Sequence, residues 1–260
     1  MKRPTFSAGS APPLSAENVT VTFGNVKVLD SVTFSVGPGC LMGVVGPNGA
    51  GKSTLFNALV GLVPVDEGQV FIHGRSINDS RGIVAYVPQY EKINSRMPMK
   101  AEEVVMMGRV RRIGWFRRPG QVDREAVRGA LEQVGMWDRR SYLVDELSGG
   151  QRQRVFVARA LAQGADILLL DEAFSGVDIA SQESLVTVLH ELRDEGRTIL
   201  LSSHDINHVA HCCDECLCIN NHVCACGAPR DVLTAEVLEE LYGPYGLAPI
   251  HGGVLDGHNR

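Results

Sequence analysis

The 260-residue sequence predicts an α/β fold built around a mostly parallel sheet covered on both faces. Three observations carry that prediction. Strand-length apolar runs, Leu41-Met42-Gly43-Val44-Val45, Ile167-Leu168-Leu169-Leu170 and Thr198-Ile199-Leu200-Leu201-Ser202, alternate with stretches of helical period. A glycine-rich loop follows the first run directly, and two carboxylates follow the second. Apolar residues make up 44% of the chain, enough to bury the core of one large domain or two modest ones, which excludes disorder over most of its length.

The elements follow in order. Val19-Thr20-Val21-Thr22-Phe23 and Val32-Thr33-Phe34-Ser35-Val36, joined through Gly24-Asn25, have strand and turn chemistry. After the first apolar run, residues 53–63 read as an apolar helix stopped before Pro64. Residues 100–137 read as mostly helical and separate two blocks of α/β character. A helix follows Leu147-Ser148-Gly149-Gly150-Gln151 and reaches Ala162; then come a strand over 167–170, a helix over 181–195, a strand over 198–202 and a helix beginning near Asp205. No internal repeat is visible. The ends, 1–14 and 244–260, read as flexible tails around a folded unit of 15–243.

The 25 basic and 30 acidic side chains leave a formal charge of −5, which gives no global reason to expect a nucleic-acid partner. No stretch reaches the ~18 uninterrupted apolar residues of a membrane span. The polar start lacks the apolar centre of a secretory signal, so a cytoplasmic chain with its seven cysteines reduced is expected.

Gly46-Pro47-Asn48-Gly49-Ala50-Gly51-Lys52-Ser53-Thr54 is a phosphate-binding loop. Its glycines let backbone amides curl around phosphate oxygens, and the helix that follows offers its positive N-terminus. Lys52 neutralises the β- and γ-phosphates, and Ser53 is a magnesium ligand. Asp171 and Glu172, at the C-terminal tip of a buried strand, sit where ligands bind in open α/β sheets. Asp171 is placed to support the magnesium shell, and Glu172 to orient or deprotonate the attacking water. Ser148-Gly149-Gly150-Gln151 opens a helix and forms a second anion-binding N-terminus.

Leu147-Ser148-Gly149-Gly150-Gln151 resembles the signature motif of the ATP-binding subunits of ABC transporters, and the rest of the chain supports the resemblance in order from about Glu17 to Tyr242. It implies a P-loop NTPase core, an antiparallel β subdomain and a helical subdomain over about 90–162 that carries the signature. It also implies a head-to-tail pair of chains with two ATP molecules sandwiched between one chain's phosphate loop and the other's signature. Phe23 falls where the family stacks a ring on adenine. Gln89, in Tyr86-Val87-Pro88-Gln89, matches the glutamine that touches magnesium and its water and senses the membrane subunit. Asp178, in Ser175-Gly176-Val177-Asp178, matches the aspartate that communicates across the dimer, and His204 matches the histidine at the γ-phosphate. Ala173 departs from the proline that many members carry after the glutamate.

The stretch from Lys52 to Ser148 is too short for the coiled-coil insertions of chromosome-maintenance and DNA-repair relatives, which favours a transporter subunit. The transmembrane pathway is then a separate permease subunit, with a substrate-binding protein acting indirectly and this chain lying peripherally on the inner face of the cell membrane. The segment 97–109 with Gly114-Trp115, and Ser203-His204-Asp205-Ile206-Asn207-His208-Val209, look like the subunits serving manganese, zinc and iron uptake. Two rival readings stay open: a mechanochemical ABC ATPase acting on nucleic acid or ribosomes, and an ATP-gated scaffold. The intact set of Lys52, Asp171, Glu172 and His204 argues against the scaffold.

Two clusters fall outside this scheme. Five arginines lie between Arg109 and Arg118, interleaved with Trp115 and Phe116. They suit a nucleic-acid or anionic-membrane patch, a solvated helical face, or a surface beside the membrane subunit. Six of the seven cysteines crowd into 212–226, which reads as strand, turn and strand. A three-residue turn over 219–221 with Asn221 left-handed pairs Cys216 with Cys224 and Cys218 with His222, placing Cys216, Cys218, Cys224, Cys226 and His222 on one face as a thiolate metal or redox site. A two-residue turn splits the cysteines between faces, and the alternative use of these small side chains is core filling.

Overall fold

In chain order the elements of the computed structural model are β1 (Leu14–Phe23), β2 (Val26–Val36), β3 (Leu41–Val45), α1 (Lys52–Leu59), β4 (Glu67–Ile72), β5 (Arg75–Ser76) and β6 (Val84–Val87). There follow α2 (Ala101–Met107), α3 (Val110–Ile113), α4 (Gln121–Gln133), α5 (Gly149–Gln163), β7 (Ile167–Leu170), α6 (Ile179–Asp194) and β8 (Thr198–Ser203). After these come α7 (Ile206–Cys212), β9 (Glu215–Asn220), β10 (His222–Gly227), α8 (Pro229–Val232) and α9 (Ala235–Tyr242). Residues 11–77, 83–89, 98–114 and 117–243 are described. The expected tail 244–260, most of the tail 1–14, and Trp115 and Phe116 of the arginine-rich run lie outside them.

The three apolar runs become adjacent strands. A six-stranded sheet has the order β10-β9-β3-β8-β7-β6, in which β9, β3, β8, β7 and β6 are parallel and only the edge strand β10 is antiparallel. A second, antiparallel sheet has the order β2-β1-β4-β5. Strand β7 shows how a continuous apolar run serves two layers, because successive side chains of a strand point to opposite faces. Leu168 and Leu170 join the core formed with α2, α4, α5 and α6, while Ile167 and Leu169 join the core shared with α1 and the antiparallel sheet. All four are fully buried, each contributing about 1.5–3 kcal/mol of transfer free energy relative to exposure.

Several boundaries differ from the sequence reading. Strand β1 begins one residue inside the expected tail: Leu14 is fully buried and pairs with Val36 and Ile72. Helix α1 stops at Leu59 rather than residue 63, with the N–H groups of Gly61 and Leu62 closing turns back to Ala58 and Asn57. Strands β4, β5 and β6, six, two and four residues long, lack the continuous apolar run that marks β3 and β7 in the sequence.

The cysteine hairpin is the main correction. Asn221 is left-handed, with φ 61°, but it is the whole turn: His222 pairs with Asn220 and Val223 with Ile219. A bulge at Cys224 then shifts the register, so that Ala225 pairs with Cys218 and Cys226 with Leu217. One inserted residue flips the alternation of everything after it. Cys216, Cys218 and Cys224 therefore share a core with Val232 and Leu241, whereas Cys226 packs on the opposite face beside Leu217. The expected single face holding all four cysteines does not form.

Candidate active site

Four neighbouring parallel strands end at the same edge. At their carboxyl ends lie the phosphate loop after β3, His204 after β8, Asp171 and Glu172 after β7, and Gln89 two residues past β6. This is the crevice in which open α/β sheets hold ligands.

The loop is braced from below. At Gly46 any Cβ would collide with the carbonyl oxygen of Ile219, so glycine alone lets the β9–β10 turn approach. From that turn the N–H of Asn221 donates to the carbonyl of Ala50 at 3.0 Å, and the Asn221 side chain donates to the carbonyl of Val28 at 3.0 Å. Lys52, buried in the first turn of α1, donates to the carbonyls of Gly46 at 2.7 Å and Pro47 at 2.9 Å. Burial holds its pKa below the ordinary lysine value, against the pull of the charges on Glu172 and Asp171. Ser53 and Thr54 are half-buried beside it, while Asn48 and Gly49 face solvent.

Asp171 is fully buried, with Oδ1 accepting from the Ser202 hydroxyl at 2.7 Å and Oδ2 from the Tyr86 phenol at 3.0 Å. Burial first, and the Asp171 charge second, push the Tyr86 pKa up, so the phenol stays a donor. Glu172 is held in a left-handed conformation, φ 47°, which is uncommon for a side chain with a Cβ and marks local strain at the strand end. Its N–H donates to the Ser202 oxygen at 2.8 Å, and its Oε2 accepts from the Gln89 amide at 3.2 Å. One hydroxyl thus ties both acidic residues to β8. His204 stands exposed where β8 ends.

The second glycine motif lies elsewhere on the chain. Ser148 caps α5, its side chain accepting from the N–H of Gln151 while Gln151 accepts in return from the N–H of Ser148 at 3.1 Å. Gly149 and Gly150 pack against Gly176 and Ser181. Asp178 caps α6, and its hydrogen bonds from Ser181 hold its carboxyl below the usual range. Ser148 and Asp178 are exposed, as is Phe23, which projects from the antiparallel sheet at 52% exposure. The structure therefore joins residues 46–54, Gln89, Asp171 and Glu172 into one site, and gathers Ser148 to Gln151 with Asp178 into another.

A sequence model described as ABC transporter matches residues 29–175. The chain belongs to the ABC transporter family. It is an ATP-binding, ATP-hydrolysing subunit of that family. It is 42% identical to the manganese transport system ATP-binding protein MntB of Bacillus subtilis, over 89% of this chain and 92% of that one. The zinc transport system ATP-binding protein TroB of Treponema pallidum is 39% identical, over 91% and 89%. Among solved structures, a metal-chelate-type ABC transporter in an inward-facing conformation superposes with a TM-score of 0.79 at 28% identity, covering 90% of this chain and 89% of that one.

Two residues that bond to Asp171, Tyr86 and Ser202, receive no role in the sequence reading. Their signal is faint: Tyr86 carries the one hydroxyl of β6, and Ser202 is one of three buried hydroxyl residues on β8, each of which needs a partner.

Proposed function

We propose that this chain energises metal-cation import, as one of two copies that close head to tail over two ATP molecules and drive a separate membrane-embedded permease. The kinship with manganese, zinc and chelated-iron transport proteins supports the substrate class. The exposed edge of Ser148, Asp178 and Ile179, the last 75% exposed, suits a second copy, and no helix among the described residues is long and apolar enough to cross a membrane. The chain then sits against the inner face of the membrane, with a substrate-binding protein serving the permease.

The observation that carries the mechanism is the pairing of Glu172 with Gln89 beside the buried, doubly hydrogen-bonded Asp171. Ser53, Gln89 and Asp171 offer oxygen donors of the kind magnesium takes and would hold that ion, which would supply charge neutralisation at the phosphates. Loop amides and Lys52 hold the phosphates. Glu172 orients the attacking water and accepts its proton at the carboxylate, and His204 positions the γ-phosphate. Ser148, Gly149 and Gly150 of the second copy complete the charge-stabilising shell, Asp178 contacts that copy across the dimer, and Phe23 stacks on the base.

Sizing and phosphate release test this. Glu172→Gln should form an ATP-dependent dimer and lose the turnover of the unsubstituted chain; a variant that hydrolyses ATP normally and stays monomeric overturns the mechanism. Uptake of radioactive manganese, zinc and iron by cells producing the chain with its permease, abolished by Lys52→Ala, tests the substrate class. Uptake of none of the three overturns it.

A further inference from the structure

The bulge that breaks up the four-cysteine face builds something else. Among the described residues, the group of three or more metal-ligating side chains whose donor atoms converge is His222, Cys224 and Glu240, all within 4.8 Å of one another. His222 and Cys224 come from β10, and Glu240 reaches them from α9. The Nε2 of His222 lies 2.8 Å from Oε1 of Glu240 and 3.9 Å from Sγ of Cys224. A tetrahedral zinc ion separates nitrogen from oxygen ligands by about 3.4 Å and nitrogen from sulfur by about 3.6 Å. The nitrogen–sulfur separation already held is within about 0.3 Å of that value, and His222 and Glu240 need part by only about 0.6 Å.

We propose that His222, Cys224 and Glu240 form a binding site for a borderline divalent cation of the zinc class. One imidazole nitrogen, one thiolate and one carboxylate is a donor set that suits zinc and cobalt(II), and suits manganese poorly because of the thiolate. Binding releases the thiol proton of Cys224 to solvent, places the imidazole proton of His222 on Nδ1, and leaves the fourth position to water. All three side chains are reached from solvent: His222 and Glu240 are exposed and Cys224 is half-buried. Cys216 and Cys218, whose sulfurs are 3.9 Å apart, are fully buried and serve the core. The site spans α9 and the strand whose preceding residue, Asn221, braces the phosphate loop through Ala50. A bound ion therefore fastens α9 to the loop's support.

Cobalt(II) titration of the purified, reduced full-length chain without nucleotide tests the site independently of any ATPase role. One equivalent should bind with a thiolate-to-cobalt charge-transfer absorption, be displaced by equimolar zinc, resist equimolar manganese, and raise the thermal midpoint. Cys224→Ser should abolish the charge-transfer absorption, and Glu240→Gln, at an exposed helix position that leaves the fold intact, should weaken cobalt binding at least ~10-fold. Absence of the absorption, its survival in Cys224→Ser, unchanged affinity in Glu240→Gln, or ready displacement by manganese would each overturn the proposal.

Discussion

The side-chain amide of Gln89 donates to Oε2 of Glu172 at 3.2 Å, joining the ends of two adjacent strands, β6 and β7. The contact restrains a carboxylate whose backbone is already held in a left-handed turn by Ser202. Glu172→Gln should lower kcat by about 10²–10⁴-fold, the worth of a general base, with ATP affinity unchanged. Gln89→Ala should lower kcat less than Glu172→Gln does, because the Glu172 carboxylate survives with a looser orientation. Phosphate release at saturating ATP, with fluorescent-nucleotide binding alongside, reads both; weaker ATP binding in Glu172→Gln would count against a role confined to the chemical step.

Ser202 is the shared anchor of the acidic pair, donating to Asp171 and accepting from the Glu172 N–H. Ser202→Ala removes the partner of a buried carboxylate oxygen and of a backbone N–H, which costs about 1–3 kcal/mol in stability. Because both freed groups belong to the catalytic edge, kcat should fall more than KM rises. Urea midpoints and ATPase kinetics on one preparation check the two effects, and a stability loss with unchanged kcat would reduce Ser202 to a structural role.

What the sequence disclosed and what it withheld divide by range. Residues 41–54 announce themselves because strand, loop and helix are contiguous and each residue type has its own reason to be there. Asp171 and Glu172 gained meaning from the four fully buried residues before them, Ile167 to Leu170. Tyr86 and Ser202 stayed hidden because their importance lies in contacts with Asp171 across 85 and 31 residues of chain, and no local pattern encodes a pairing made by sheet order. The cysteine hairpin failed for a different reason. Asn221 was readable as left-handed, but the bulge at Cys224 is decided by which core each cysteine enters, a tertiary choice that reassigns Cys226 and brings in Glu240 from α9.

The signature helix offers a packing test. At Gly150 a Cβ would collide with the side chain of Ser181, at the start of α6. Gly150→Ala should therefore destabilise by about 1–3 kcal/mol, as overpacking does, despite alanine's better helix propensity. Ser181→Gly removes the obstructing atoms while keeping the N–H that Asp178 accepts from. The double substitution should then be more stable than the sum of the singles predicts, and urea denaturation of all four chains measures the coupling. Strict additivity would place the strain elsewhere.

Acid sensitivity should concentrate in the helical subdomain. Asp123 accepts from the N–H of Gly120 at the start of α4 and from the buried Arg109 at 3.0 Å, and Arg109 in turn donates to the carbonyl of Ala162 at the end of α5. The backbone hydrogen bond from Gly120, followed by the one from Arg109, holds the Asp123 carboxyl below its ordinary value. A carboxylate whose folded pKa is depressed contributes its stability fully above the unfolded value of about 3.9, and loses it as pH falls through the lower folded one. Between about pH 5 and pH 3 the urea midpoint of the unsubstituted chain should thus fall more steeply than that of Asp123→Asn, whose amide does not titrate. Parallel slopes would mean that other carboxylates govern acid unfolding, and that Arg109 is held mainly by its bond to Ala162.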